Sequence, residues 1–294
     1  MLGKTSNPLD PSTILNDRKF AEYMLSKELD WADVVLSLRN LLRLKYFPVA
    51  VKFSFEDISE QFLKYKTAGK NFTFCQYAAF TRQEGVKLIG FRSTMGCTNA
   101  MYVLGWKDFD EEEIRGHRKY ARDDEQAEFF AKTKPRLKEG LKFFAFSPLH
   151  ETDFEPDVVY IVCDVLQAYH ICNDYMSAFN VHPLRPNFTV NSAVCAGAVW
   201  CYNTGELNLT PMCSGSKTSG KTEQGEVNIF IPGDRVKPFV ERMLERTLEY
   251  GGVSFPRTGK TYPGCDVCKL CPIFKPKDLA SVRELKELET SEPH

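Results

Sequence analysis

Pro48-Val-Ala-Val-Lys-Phe-Ser-Phe55 decides how this chain is read. A proline opens the run, and β-branched and aromatic residues fill it, which predicts a strand. The segment 57–66 then returns to helical spacing through Ile58, Phe62 and Tyr65, so a strand–helix unit is expected. Upstream, residues 13–46 read as helical. Trp31, Val34, Val35, Leu38, Leu41 and Leu42 recur at three- and four-residue steps with Lys and Arg between them, and Pro48 stops the pattern. Downstream, 108–139 is dense in charge and reads as one or two exposed helices broken near Pro135, its charges forming a solvated face.

The second half opens in the same way. Pro156-Asp-Val-Val-Tyr-Ile-Val-Cys163 is a second strand, followed by a helix-like run over 164–179. After each unit a cysteine opens a small-residue helical stretch: Cys75-Gln-Tyr-Ala-Ala-Phe80 in one half, Cys195-Ala-Gly-Ala-Val-Trp200 in the other. A second cysteine follows each, Cys97 in Ser93-Thr-Met-Gly-Cys-Thr98 and Cys213 in Leu209-Thr-Pro-Met-Cys-Ser-Gly215. The pattern reads as a degenerate internal duplication. It predicts a mixed α/β (α+β) fold of two pseudo-repeated strand–helix lobes around a shared cleft. The boundaries are an N-terminal helical segment (1–46), a first lobe (47–150), a second lobe (151–252), and a C-terminal metal-binding loop and helix (253–294). Within the second lobe, Val227-Asn-Ile-Phe-Ile-Pro232 is a short strand. Gly233-Asp234 caps a helix to about Tyr250, closed by Gly251-Gly252.

Composition bounds the function. With 38 Lys+Arg against 39 Asp+Glu in 294 residues, the formal charge of -1 supplies no field to draw the molecule to nucleic acid or an anionic membrane. No apolar run has the length of a membrane span and no export signal is evident, so a cytoplasmic protein is expected. Ten cysteines in such a chain do not read as a disulfide framework. Cys163, Cys172 and Cys201 read as small buried hydrophobes; the clustered ones need another reason.

These pieces resemble the bacterial and archaeal family called domain of unknown function 169. The matching elements are Pro48-Val-Ala-Val-Lys-Phe53, the block from Cys75 to Cys97, Pro156-Asp-Val-Val159, Cys195 with its small residues, Cys213-Ser-Gly-Ser216, and Ile231-Pro232 before the closing helix. Together they span roughly residues 45–250. The family is common in anaerobes and carries no settled activity, so the resemblance implies a fold type and a cysteine-bearing core but no reaction. The block 259–276 departs from the family pattern and looks like an addition.

That addition holds the densest chemistry. Cys265-Asp-Val-Cys268-Lys-Leu-Cys271-Pro272 has the C-x2-C-x2-C spacing that points three thiolates at three corners of one cubane, so a 4Fe-4S cluster is the expected cofactor. Ile273-Phe-Lys-Pro276 supplies no fourth cysteine. Cys213 is the expected fourth ligand, with Cys75, Cys97 or Cys195 as substitutes, unless the fourth iron stays open to water or substrate. Zinc is the alternative, although zinc ribbons more often use two separated knuckles. The quartet Cys75, Cys97, Cys195 and Cys213 raises the further question of a second metal near the pseudo-twofold axis, against the plain reading of four buried, inert thiols.

Gly215-Ser-Lys-Thr-Ser-Gly-Lys221-Thr222 matches the P-loop pattern by letter, but Glu223-Gln-Gly-Glu226 leads into a strand rather than a helix. Ser214, Gly215 and Lys217 are instead read as a loop that contacts a small anionic ligand, with His170 as the imidazole nearest the cleft. The expected function is an iron–sulfur protein of anaerobic metabolism, active in electron transfer or in redox chemistry on a small molecule held between the lobes. The alternative is a non-catalytic ligand-binding module with a structural zinc. Expected partners are a small-molecule ligand or a redox partner protein, with no nucleic acid and no membrane; a homo-oligomer is left open.

Overall fold

Alternation in the two proline-led runs places their side chains on two faces at once. The computed structural model describes residues 17–67, 71–213, 215–216 and 222–251. In it 48–55 gives strand β1 (Val49–Ser54) and 156–163 gives β5 (Val158–Asp164). Val49, Val51 and Phe53, with Val158, Tyr160 and Val162, enter one core; Ala50, Val159, Ile161 and Cys163 enter another. A strand buried on both sides has no polar face to show, which is why both runs are almost wholly apolar.

The remaining strands are β2 (Lys66–Thr67), β3 (Leu88–Phe91), β4 (Phe143–Pro148), β6 (Asn208–Pro211) and β7 (Glu226–Pro232). They form one seven-stranded sheet in the order β2-β3-β4-β1-β5-β7-β6, with only β2 and β3 parallel. The mixed α/β class is as expected. The two halves do not stand as separate lobes, because β1 pairs antiparallel with β5 through Val49–Tyr160 and Val51–Val158 and joins both sets of strands edge to edge. Backbone groups that two separate sheets would leave open are thereby satisfied.

Helices cover both faces. Helices α1 (Asp17–Leu25) and α2 (Trp31–Leu42) share the second core with α7 (Val165–Phe179) and α9 (Gly233–Tyr250). The first core is covered by α3 (Phe74–Glu84), α4 (Thr98–Val103) and α8 (Ala193–Thr204), with α5 (Glu111–His117) and α6 (Asp124–Lys132) further out. The N-terminal pattern splits into two helices because Asp30 caps the second, exchanging bonds with Asp33 in a capping box. Residues 57–66 form a 3₁₀ turn (Ser59–Phe62) and β2 rather than a helix. Phe62 and Tyr65 bury together against Phe143 and Phe154, so their spacing reflects anchorage of an irregular segment. The break in the charged segment precedes Pro135: α5 ends at His117, and Asp123 caps α6.

Met1–Val253 is one unit and Ser254–His294 another. Cys265, Cys268 and Cys271 lie outside the described residues, as do Ser214, Lys217 and Lys221.

Candidate functional site

Cys75 and Cys97 are brought together by a close backbone crossing. Thr73 caps α3 in a capping box with Gln76, which puts Cys75 second in the helix, its Sγ 3.1 Å from the Thr73 hydroxyl. Just before this cap, the Phe72 carbonyl accepts the Gly96 N–H at 2.7 Å, and Phe72 bridges Met95. A side chain at Gly96 would put its Cβ 2.3 Å from the Asn71 Cα, so only glycine lets the two segments touch. Cys97 follows as the N-cap of α4. Burial pushes its thiol up, more than the N–H of Ala100 relieves it.

The second half builds its pair differently. Ser192 precedes α8 in a left-handed conformation and its side chain does not cap the helix. Cys195, third in α8 and buried, donates its S–H to the Ser192 carbonyl at 3.4 Å. Its thiol is pushed well up by burial and by the nearby sulfurs of Cys97, Cys75 and Cys213. Cys213 ends the β6 segment and is the opposite case. Burial opposes its ionisation, yet the Ser216 hydroxyl and the N–H groups of Ser216, Ala193 and Gly215 together hold the thiol below its usual value. Its sulfur therefore lies near the N-terminus of α8, where the Ser192 side chain makes no cap.

All four cysteines line one cavity of about 520 Å³ on the α3–α4–α8 face of the sheet. No carboxylate or imidazole lines it among the described residues. The polar rest of the wall is Asn99, Asn191 and Lys119 with the hydroxyl residues Thr73, Tyr120, Ser192 and Ser216. Behind Asn99 sits a buried ion pair, Lys134 Nζ to Glu113 Oε2 at 2.5 Å, both side chains 1% exposed, and the same ammonium donates to Asn99 Oδ1 at 2.9 Å. The charged segment is thus not simply a solvated face. Its Glu113 and His117, and Lys134 just beyond α6, are buried and organise the cavity wall. Among the described residues, no three His, Cys, Asp or Glu side chains meet closely enough to hold a single metal ion.

A family model for DUF169, described as uncharacterised ArCR, matches residues 37–242. The chain belongs to the DUF169 family. An uncharacterized protein of Methanocaldococcus jannaschii, MJ0308, is 26% identical over 215 residues, covering 69% of this chain and 89% of the relative. No solved structure matches significantly. The DUF169 match contains the whole cysteine cavity and ends before Cys265.

The structure sorts the remaining expectations for this DUF169 chain. Gly215 and the unforeseen Ser216 line the cavity, one giving a backbone and the other a hydroxyl donor to Cys213. His170 does not: it lies on α7, which packs on the opposite face of the sheet. The stretch Tyr169-His170-Ile-Cys172 reads as lying beside a cleft between lobes, and one shared sheet stands where separate lobes are expected. Thr222 is followed by a turn and by β7, which is no helix for a P-loop to open. Cys163 and Cys201 are buried core residues with thiols pushed up by burial. Asn99, Asn191 and Lys119 escaped the sequence reading because nothing in their local pattern marks them. No described helix is long and apolar enough to cross a membrane.

Proposed function

We propose that this DUF169 protein is a metal–thiolate redox protein. In this reading Cys75, Cys97, Cys195 and Cys213 hold an iron–sulfur group in the cavity, and Cys265, Cys268 and Cys271 hold a further cluster in the C-terminal addition. One observation carries the first site: four thiols from four separate segments reach one cavity that, among the described residues, no carboxylate or imidazole lines. An all-sulfur donor set selects soft metals, iron–sulfur clusters among them. The thiols ring a space rather than meeting at a point, which suits a polynuclear group better than one zinc ion.

Electrostatics favours the same occupant. Burial and the neighbouring sulfurs hold Cys195 protonated, and bound cationic metal would relieve both effects at once. Cys213, already favoured as a thiolate by its ring of N–H and O–H donors, is the natural first ligand. Such a group supplies one-electron transfer when bound. The protein's own part is to fix the sulfurs through the Gly96 crossing and the α8 N-terminus, and to leave room beside them for a small reactant.

The test is metal and sulfide analysis of full-length protein purified without oxygen. A brown protein with about four irons per cluster is expected. Cys75→Ser with Cys195→Ser should remove the cavity's share of the iron, and Cys265→Ser with Cys268→Ser and Cys271→Ser should remove the remainder independently. A colourless protein holding one zinc, or iron untouched by the cavity substitutions, sinks this assignment.

A further inference from the structure

We infer that the wall of the cavity built by Asn99, Lys119 and Asn191 binds the carboxylate of a small organic acid, placing its carbon chain beside the cysteines. This deepens the proposed function by naming a class of reactant, and its test reads separately from the metal.

The argument begins with which way the amides face. Asn99 spends its oxygen on the buried Lys134 ammonium at 2.9 Å, so its N–H2 group is directed elsewhere; the nitrogen passes 3.8 Å from where a Cβ on Gly116 would stand, and both residues line the cavity. Lys134 cannot release that oxygen cheaply, because it is fixed in turn by Glu113 in a place shielded from solvent. Asn191 is oriented in the same sense. Its Oδ1 accepts the Ser192 hydroxyl at 2.9 Å, leaving its nitrogen as the free end. Behind it, His117 is fully buried and directs Nδ1 to the Glu113 carbonyl oxygen at 2.7 Å. A carbonyl only accepts, so Nδ1 carries the proton, and the buried Nε2 has no hydrogen-bond partner among the described residues. The Asn191 amide nitrogen, its oxygen spent on Ser192, is left to donate into the cavity it lines.

Two amide donors held by buried partners therefore converge on one space, and both are donors by construction. Lys119 adds the charge. Its ammonium lies 4.8 Å from the Tyr120 ring centre and makes no ion pair among the described residues. Because Glu113 already neutralises Lys134, Lys119 brings the one ammonium of the cavity lining among the described residues, which suits a monoanion. A phosphate dianion would leave a charge unbalanced in a half-enclosed space. Phe74, Ala100 and Val194 line the same cavity and give apolar contact to a short carbon chain.

The experiment titrates propionate and, separately, inorganic phosphate into the full-length protein by calorimetry, both as purified without oxygen and after metal removal. Saturable propionate binding is expected. Asn99→Asp keeps the shape and the Lys134 contact but turns a donor into a like charge, and should weaken propionate at least about tenfold. Lys119→Met, at an exposed position, should do the same while keeping the wild-type iron content. Unchanged propionate affinity in both variants overturns the inference, as does phosphate binding more tightly than propionate or no saturable binding of either. Propionate binding lost in the variants of a protein that contains no iron upholds it and fells the metal assignment instead.

Discussion

Cys213 and Cys195 show how far a few donors separate two identical side chains. Both are sheltered and both face the same cavity, yet Cys213 accepts from a hydroxyl and three N–H groups while Cys195 gives its proton to a carbonyl. The first arrangement favours thiolate, the second thiol. In metal-free, reduced protein, iodoacetamide should therefore alkylate Cys213 before Cys195 or Cys97. Its rate should reach half its maximum at a pH below the usual thiol value of 9.0. The sign follows for stability: the contribution of Cys213 is fully present above that value and is lost as pH falls through its folded pKa. Cys97 and Cys195 run the other way, contributing below 9.0 and losing it as pH climbs through their raised values. Ser216→Ala removes the largest favourable contact and should move the alkylation profile upward. Mass spectrometry of the modified peptides decides it: equal labelling of Cys213 and Cys195 would mean that the donor ring does not stabilise the anion.

At the scale of elements, α8 matters because it carries Cys195 and takes Cys213 at its N-terminus. It approaches the sheet so closely that a Cβ on Gly197 would stand 2.3 Å from the Phe230 ring, itself fully buried on β7. Gly197→Ala should therefore cost about 1–3 kcal/mol through overpacking, lowering the melting temperature by roughly 2–4 °C per kcal/mol, and should reduce metal retention with it. An unchanged melting temperature would show that the ring yields freely. This element was legible in the sequence, since a cysteine followed by Ala-Gly-Ala reads as a close-packed helix start, and both proline-led strands were equally plain. The helix over 57–66 was not there to be found. Phe62 and Tyr65 produce helical spacing by anchoring separately to Phe143 and Phe154, contacts with partners some eighty residues away that local periodicity does not contain. The donor wall was hidden for a related reason: Asn99 becomes a directed donor only because Lys134 and Glu113 are buried together, and in sequence both belong to an ordinary charged run.

For the molecule as a whole, the question is what the body needs from the C-terminal addition. The seven strands are covered by α3, α4 and α8 on one face and by α1, α2, α7 and α9 on the other, and residues from both halves enter both cores. Among the described residues the two cores are built between Phe20 and Leu248, and the unit boundary falls after Val253. A chain ended at Val253 should therefore fold, with one cooperative thermal transition close to that of the full chain. It should also settle where iron resides, because it keeps Cys75, Cys97, Cys195 and Cys213 and lacks the three tail cysteines. On the proposed function, the shortened protein purified without oxygen retains one cluster, and Cys75→Ser with Cys195→Ser in that background removes it. Iron that disappears entirely on truncation, from a body that still melts as the full chain does, would assign all of it to Cys265, Cys268 and Cys271 and leave the cavity thiols as unmetallated side chains beside a carboxylate site.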